Sequence, residues 1–362
     1  MSIWILLLVA TGLALVFGGV YLSVAVSRFG LIKRIDKKWQ RSLVSSGTVA
    51  VCFAAVIVLM GFVNAVIVFL HALAFFALFS LVFRIIRKVS GRDFKICWQG
   101  WLAIVSMIVY LAIAYWLCCN VWQTKYTLYT DKNISPTRIA MFADSHIGAV
   151  FDGEGFAGWI EEIKKQSPDI VLIPGDYVDD WSNREEMIRA SAALGTIDAK
   201  YGVWFSFGNH DKGVYGRGRD FSAADLRAEL EKNNVHVLED EISYVGDLCI
   251  VGRADALIND RMDISELLRG VDESKYIIVL DHEPMDYEKE SQTSADLVLS
   301  GHTHGGQLFP VNYVGEWLGI NDGTYGYERR NDTDFIVTSG IADWAMKFKT
   351  GTKSEYVIID VE

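Results

Sequence analysis

Asp169-Ile170-Val171-Leu172-Ile173-Pro174-Gly175-Asp176 runs an apolar stretch of strand length into an abrupt polar stop. A continuous apolar run of this length fits a strand buried on both faces, closed by the proline and glycine behind it. The pattern recurs on either side. Arg138–Ala143 ends in Asp144-Ser145-His146, and Gly202–Phe207 ends in Gly208-Asn209-His210-Asp211. Tyr276–Leu280 ends in Asp281-His282, and Asp296–Leu299 ends in Ser300-Gly301-His302-Thr303-His304-Gly305-Gly306-Gln307. Phe156–Gln166 and Glu185–Leu194, between them, carry apolar residues three or four apart, the helical period. Strands alternating with helices predict an α/β layered fold, whose functional groups gather at the carboxyl ends of the strands.

Those strand ends carry metal chemistry. Asp144 and His146 are two apart, so in extended backbone they face the same way and could grip one cation. Asp176 follows a glycine that permits a tight turn, and its two carboxylate oxygens could bridge two cations. Asn209 offers a neutral carbonyl oxygen, and His302 and His304 are again two apart among glycines. Oxygen and imidazole donors without thiolate suit Mn, Fe, Zn or Co rather than a structural cysteine–zinc site. Of seven histidines, five (146, 210, 282, 302 and 304) directly follow predicted strands, whereas His236 has no companion ligand and reads as structural.

Together, Asp144-Ser145-His146, Gly175-Asp176, Gly208-Asn209-His210-Asp211, His282 and Gly301-His302-Thr303-His304 resemble the five sequence blocks of the calcineurin-like metallophosphoesterases, in the family's order. The resemblance spans about residues 137–360, and the Gly-His-Thr-His-Gly-Gly-Gln version is most similar to the bacterial YkuE-like, membrane-anchored branch. It implies a layered β-sandwich flanked by helices and two divalent cations. One would be held by Asp144, His146, Asp176 and His304; the other by Asp176, Asn209, His282 and His302. It also implies that His210 sits over the phosphate as a donor, oriented by Asp179. The arginines that grip phosphate in the protein phosphatase branch are replaced by Asp180 and Phe207, which argues against a phosphoprotein substrate. Near the C-terminus Lys347 and Lys349 read as solvated surface. Paired cations about 3.5–4 Å apart clamp a phosphate and lower the pKa of a bridging water.

Working outward, the first third of the chain is of another kind. Ile3–Val26, Leu43–Met60, Ala65–Phe83 and Trp101–Cys119 are apolar and uncharged, each near the roughly 20 residues that cross a bilayer as helix. They predict an all-α transmembrane region over residues 1–119 with four helices (3–26, 43–60, 65–83 and 101–119). Residues 120–135 read as an exposed linker, and 136–362 as the catalytic domain. Met1-Ser2-Ile3-Trp4 lacks the basic start of a signal peptide. His71 within the third span reads as an interhelical hydrogen-bonder or a headgroup-level residue.

Charge sets the orientation. Residues 1–120 carry eleven basic and two acidic side chains, and the rest carry 23 basic and 43 acidic. The basic ones flank the spans in two loops, Arg28–Arg41 and Arg84–Lys95. Positive loops stay in the cytoplasm, so the acidic domain is expected outside a multi-pass cell-membrane protein. Its net charge of −20 makes nucleic acid an unexpected partner. Cys249 is the lone thiol of the soluble part and decides nothing about redox compartment.

The leading expectation is a membrane-anchored phosphohydrolase acting on a phosphodiester, pyrophosphate or phosphomonoester, on a lipid or envelope phosphate. Two alternatives stand beside it. One is a cytoplasmic-facing enzyme resembling the UDP-diacylglucosamine pyrophosphatases; the other is a receptor or scaffold with a relic metal domain. The sequence is silent on oligomeric state.

Overall fold

A computed structural model describes residues 3–214, 218–256 and 261–362. The chain divides into two compact units, Met1–Tyr115 and Trp116–Glu362.

The first unit is helical. It contains α1 (Ile3–Val26), the short α2 (Gly30–Lys33), α3 (Lys38–Met60), α4 (Phe62–Ser90) and most of α5 (Trp98–Cys119). All but α2 contain a stretch long and apolar enough to cross a membrane. Helices α3 and α4 run past the expected apolar stretches into charged residues, because backbone hydrogen bonding continues where hydropathy stops. Only Gly61 breaks them, in the left-handed region (φ 82°) that a side chain disfavours. Leu22, Ala25, Phe69, Phe76 and Ala103 form the buried cluster of this unit. Of the two expectations for His71, the interhelical hydrogen bond is not the one described: its bond is intrahelical. Its Nδ1 lies 2.8 Å from the Ile67 carbonyl one turn back, and its ring is 5.6 Å from that of Tyr110.

The second unit holds two six-stranded sheets. Its strands are β1 (Val121–Leu128), β2 (Thr137–Met141), β3 (Ile170–Pro174), β4 (Val203–Ser206), β5 (Val235–Leu238) and β6 (Glu241–Val245). They continue as β7 (Leu248–Gly252), β8 (Tyr276–Leu280), β9 (Leu297–Ser300), β10 (Gly326–Arg330), β11 (Thr333–Val337) and β12 (Ser354–Val361). One sheet has the order β1-β12-β2-β3-β4-β5 and the other β10-β11-β9-β8-β7-β6. Strands β2 to β5 are parallel, as are β7, β8, β9 and β11, so their carboxyl ends point one way within each sheet.

Side chains alternate across each strand. Ile139, Met141, Ile170, Leu172, Ile278, Leu280, Leu297 and Leu299 point between the sheets and form one core. Val171, Ile173 and Phe205 point outward against α6 (Gly153–Lys164), α7 (Arg184–Leu194) and α8 (Ala223–Lys232). Those helices contribute Phe156, Ile160, Met187, Leu194 and Leu226. On the far face Cys249, Val251, Ile277 and Val279 meet α9 (Ile264–Leu267) and α10 (Tyr287–Glu290). Burial on both faces is why these strands read as continuous apolar runs. Each fully buried Ile or Leu contributes about 1.5–3 kcal/mol. Caps fix the helix starts: Asp152 accepts from Gly155 N, Asn183 from Glu186 N, and Ser222 with Asp225 closes a capping box.

The expected linker over 120–135 is absent as such. Val121–Leu128 is edge strand β1, paired parallel with β12 from Val121 beside Ser354 to Leu128 beside Val361. Trp122, Thr124, Tyr126 and Thr127 are strand formers, but their mixed polarity hides the strand in one dimension. Trp116 packs edge-on against Trp122 at 5.1 Å, and the Ser354 hydroxyl donates to the Cys118 carbonyl at 2.7 Å. The second unit therefore begins within the last turn of α5.

Candidate metal centre

Every sequence-predicted site residue lies just beyond a strand: Asp144 and His146 after β2, Asp176 and Asp179 after β3, Asn209 and His210 after β4, His282 after β8, and His302 and His304 after β9. Asp144, His146, Asp176, Asn209, His282 and His304 are buried; His210 and His302 are partly open. Asp144, His146 and His304 form one cluster and Asp176, His282 and His302 another, each with ligand atoms within 4.8 Å of one another. Asn209 joins the second, its Oδ1 3.0 Å from His302 Nδ1.

Asp176 connects the two. Its Oδ2 lies 3.1 Å from His282 Nε2 and 3.7 Å from His146 Nε2, while Oδ1 accepts from His210 N at 2.9 Å. Burial alone would raise the Asp176 carboxyl, but His282, His146 and His210 hold it well below the usual carboxylate range. Burial, reinforced by His282, pushes the His302 imidazole down to about 4, leaving it neutral with a lone pair to offer.

The backbone here is not extended. Asp144 (φ 54°), His146 (φ 38°), Asp176 (φ 52°), His302 (φ 68°) and His304 (φ 50°) all occupy the left-handed region. The expectation that Asp144 and His146 converge through extended chain is corrected: two left-handed residues bring them together. Such conformations cost about 1–3 kcal/mol each and persist where surrounding structure over-determines them. Glycine makes the room. A Cβ on Gly175 would meet His282 Nδ1 at 2.6 Å, and one on Gly208 would meet Asp176 Oδ1 at 2.3 Å.

The donor set fits divalent cations. Among the described residues, Asp144 Oδ2 and His146 Nε2 are buried without a hydrogen-bond partner. His282 Nδ1 donates to the Pro174 carbonyl at 2.8 Å, which leaves Nε2 as the atom that faces Asp176 and could meet a cation there. His304 is held the same way, its Nδ1 2.9 Å from Asp343 Oδ1. Acceptors behind ligating histidines fix the tautomer and ring orientation.

His146, Asp179 and His210 bring ligand atoms within 4.8 Å of one another, and Asp180 joins them. Asp179 stands behind His146, with Oδ2 3.3 Å from Nδ1. Asp180, one residue later, faces His210, with Oδ2 2.6 Å from Nδ1. The Trp181 amide donates to Asp179 Oδ1 at 3.0 Å, and both aspartates are buried. Lys349 is not surface: it is fully buried, its Nζ 3.4 Å from the Ala342 carbonyl and 3.5 Å from Asp343. Asp211 is a further residue that sequence reasoning left without a role. It accepts from Val178 N and Gly208 N, both at 2.9 Å, and ties the Asp176 turn to the Asn209 turn. No spacing marks Asp180 or Asp343, because their partners lie on other loops, and the contact of Asp211 with Val178 N is likewise invisible in one dimension.

With this geometry in hand, the comparisons identify the family. The calcineurin-like phosphoesterase model matches residues 137–306. An uncharacterized metallophosphoesterase of Aquifex aeolicus is 31% identical over 199 residues, covering 52% of this chain and 72% of that protein. The chain belongs to the calcineurin-like metallophosphoesterase family. A bovine relative described as a transmembrane protein with metallophosphoesterase domain is 27% identical over 62% of this chain and 52% of its own length. The chain spans about 60% of the length of the metallophosphoesterases of Campylobacter jejuni and Helicobacter pylori that it matches at 29% identity. A dimetal phosphatase structure from Danio rerio aligns over 62% of this chain and 92% of its own, with 11% identity and a TM-score of 0.33. Helices able to cross a membrane and a metallophosphoesterase domain thus share one chain.

Proposed function

We propose that this protein is a membrane-anchored dimetal phosphohydrolase with its catalytic domain outside the cytoplasm, acting on a lipid or envelope phosphate ester. The observation that carries the reading is Asp176, whose Oδ2 sits between His146 Nε2 and His282 Nε2 and so joins two oxygen–imidazole clusters. Asp144, His146, Asp176 and His304 would hold one divalent cation; Asp176, Asn209, His282 and His302 would hold the other. When bound, the pair supplies Lewis acidity toward phosphoryl oxygens and a lowered pKa for water. His210 is the proton donor, its Nδ1 held by Asp180 so that the opposite nitrogen serves the phosphoryl or leaving oxygen.

Features of the rest of the chain support this substrate class. Four spans exceed what anchoring needs, since one apolar helix of about 20 residues suffices. The acidic domain repels polyanions, whereas a dimetal centre accepts a single phosphate group. No phosphate-gripping arginine stands at 180 or 207. Full-length protein in detergent–lipid micelles, loaded with Mn, Fe, Zn or Co, tests the reading against lipid phosphates, soluble aryl phosphate mono- and diesters, and nucleotides. Hydrolysis of a lipid phosphate ahead of the nucleotides is expected; preference for soluble nucleotides over every lipid would overturn it.

A further inference from the structure

Residues 308–320 form an apolar, exposed stretch of the second unit. Phe309, Val311, Trp317, Leu318 and Ile320 are all exposed, Trp317 at 74% of its surface, and Glu316 is the only charge. A water-facing loop gains nothing from this composition, and contiguous exposed apolar surface marks an interaction site.

The base of the loop is fixed beside the end of α5. The Phe309 amide donates to Thr350 Oγ1 at 2.8 Å, and the Gln307 side chain donates to the Phe348 carbonyl at 2.9 Å. Asn312 folds back so closely that a Cβ on Gly306 would meet its carbonyl at 2.1 Å. Lys349, in the same segment, reaches Ser354 Oγ at 3.4 Å, and Ser354 donates to the Cys118 carbonyl in the last turn of α5. Cys118 Sγ in turn lies 3.2 Å from Asp343 Oδ2, whose other oxygen holds His304. All these residues belong to the unit Trp116–Glu362. A candidate membrane span ends at Cys119, with Trp116 half exposed in its last turn. The base of the loop and His304 are tied to Cys118 by these contacts.

We propose that residues 308–320 are a membrane-seated loop, with Phe309, Trp317 and Leu318 entering the headgroup–acyl boundary of the bilayer that holds α5. Trp, Phe and Leu are the side chains that enter this boundary, and its depth of about 5–10 Å suits a short loop. The assignment rests on the membrane-anchored reading and deepens it: the metal centre meets phosphates at the membrane surface rather than in bulk water.

The test uses full-length protein in phosphatidylcholine vesicles, with the photoreactive substitutions Trp317→p-benzoylphenylalanine and Phe309→p-benzoylphenylalanine. Tyr244→p-benzoylphenylalanine, at a half-exposed position on β6, is the reference. Irradiation should give lipid adducts at 317 and 309 about tenfold or more above 244, as expected for residues seated in the boundary. Adduct yields at both positions no higher than at 244, or chain-to-chain cross-links in place of lipid, would overturn the assignment. Lipid adducts from a protein that hydrolyses no vesicle-borne phosphate would uphold the loop and refute the substrate reading.

Discussion

His210 and Asp176 occupy adjacent turns, yet their substitutions separate cleanly. Asp176→Asn removes the charge shared by both clusters, so metal analysis of the purified protein should show loss of bound cation. His210→Ala should keep its metal and lose about 10²–10⁴-fold in rate, the usual contribution of a positioned proton donor. Loss of both metals from a folded His210→Ala protein would make His210 a ligand instead. The two neighbouring aspartates give a sharper contrast. Asp180→Asn should lower turnover with metal content unchanged, because it faces His210. Asp179→Asn should weaken metal binding about 10–100-fold, because it stands behind His146, as Asp343 does behind His304. Titration with metal, followed by rate measurement at saturation, distinguishes the two; the reverse pattern would restore Asp179 to His210.

At the scale of elements, legibility followed burial. β3, β8 and β9 are buried at every residue, and each reads as an unbroken apolar run with a polar end. β1 escaped because it is an edge strand: only Leu128 is buried, and Gln123, Thr124, Lys125 and Thr127 give the look of a tether. It pairs along all eight residues of β12, a strand buried except at Asp360. A fragment of residues 130–362 lacks β1 and exposes that apolar strand as a new edge, which invites aggregation. Compared with 116–362, it should elute as aggregate or melt at lower temperature by circular dichroism; equal melting of two monomers would make β1 a dispensable appendage.

For the whole molecule, orientation rests on Arg28–Arg41 and Arg84–Lys95 flanking the spans. A C-terminal alkaline phosphatase fusion should be active, and a fluorescent-protein fusion exported unfolded should be dark. Reversed signals would place the metal centre in the cytoplasm and favour a nucleotide-linked lipid as substrate. The sequence by itself determined the α/β class, the four apolar segments and the ligand-type residues, since strand burial, bilayer thickness and donor chemistry each leave a local imprint. Tertiary structure alone decided which aspartate lies nearest which histidine, that Lys349 is buried behind Asp343, and that Cys118 touches Asp343 from the end of α5. Those contacts join residues up to 225 positions apart. A spacing rule sees only neighbours along the chain, whereas hydrogen bonds are chosen among neighbours in space.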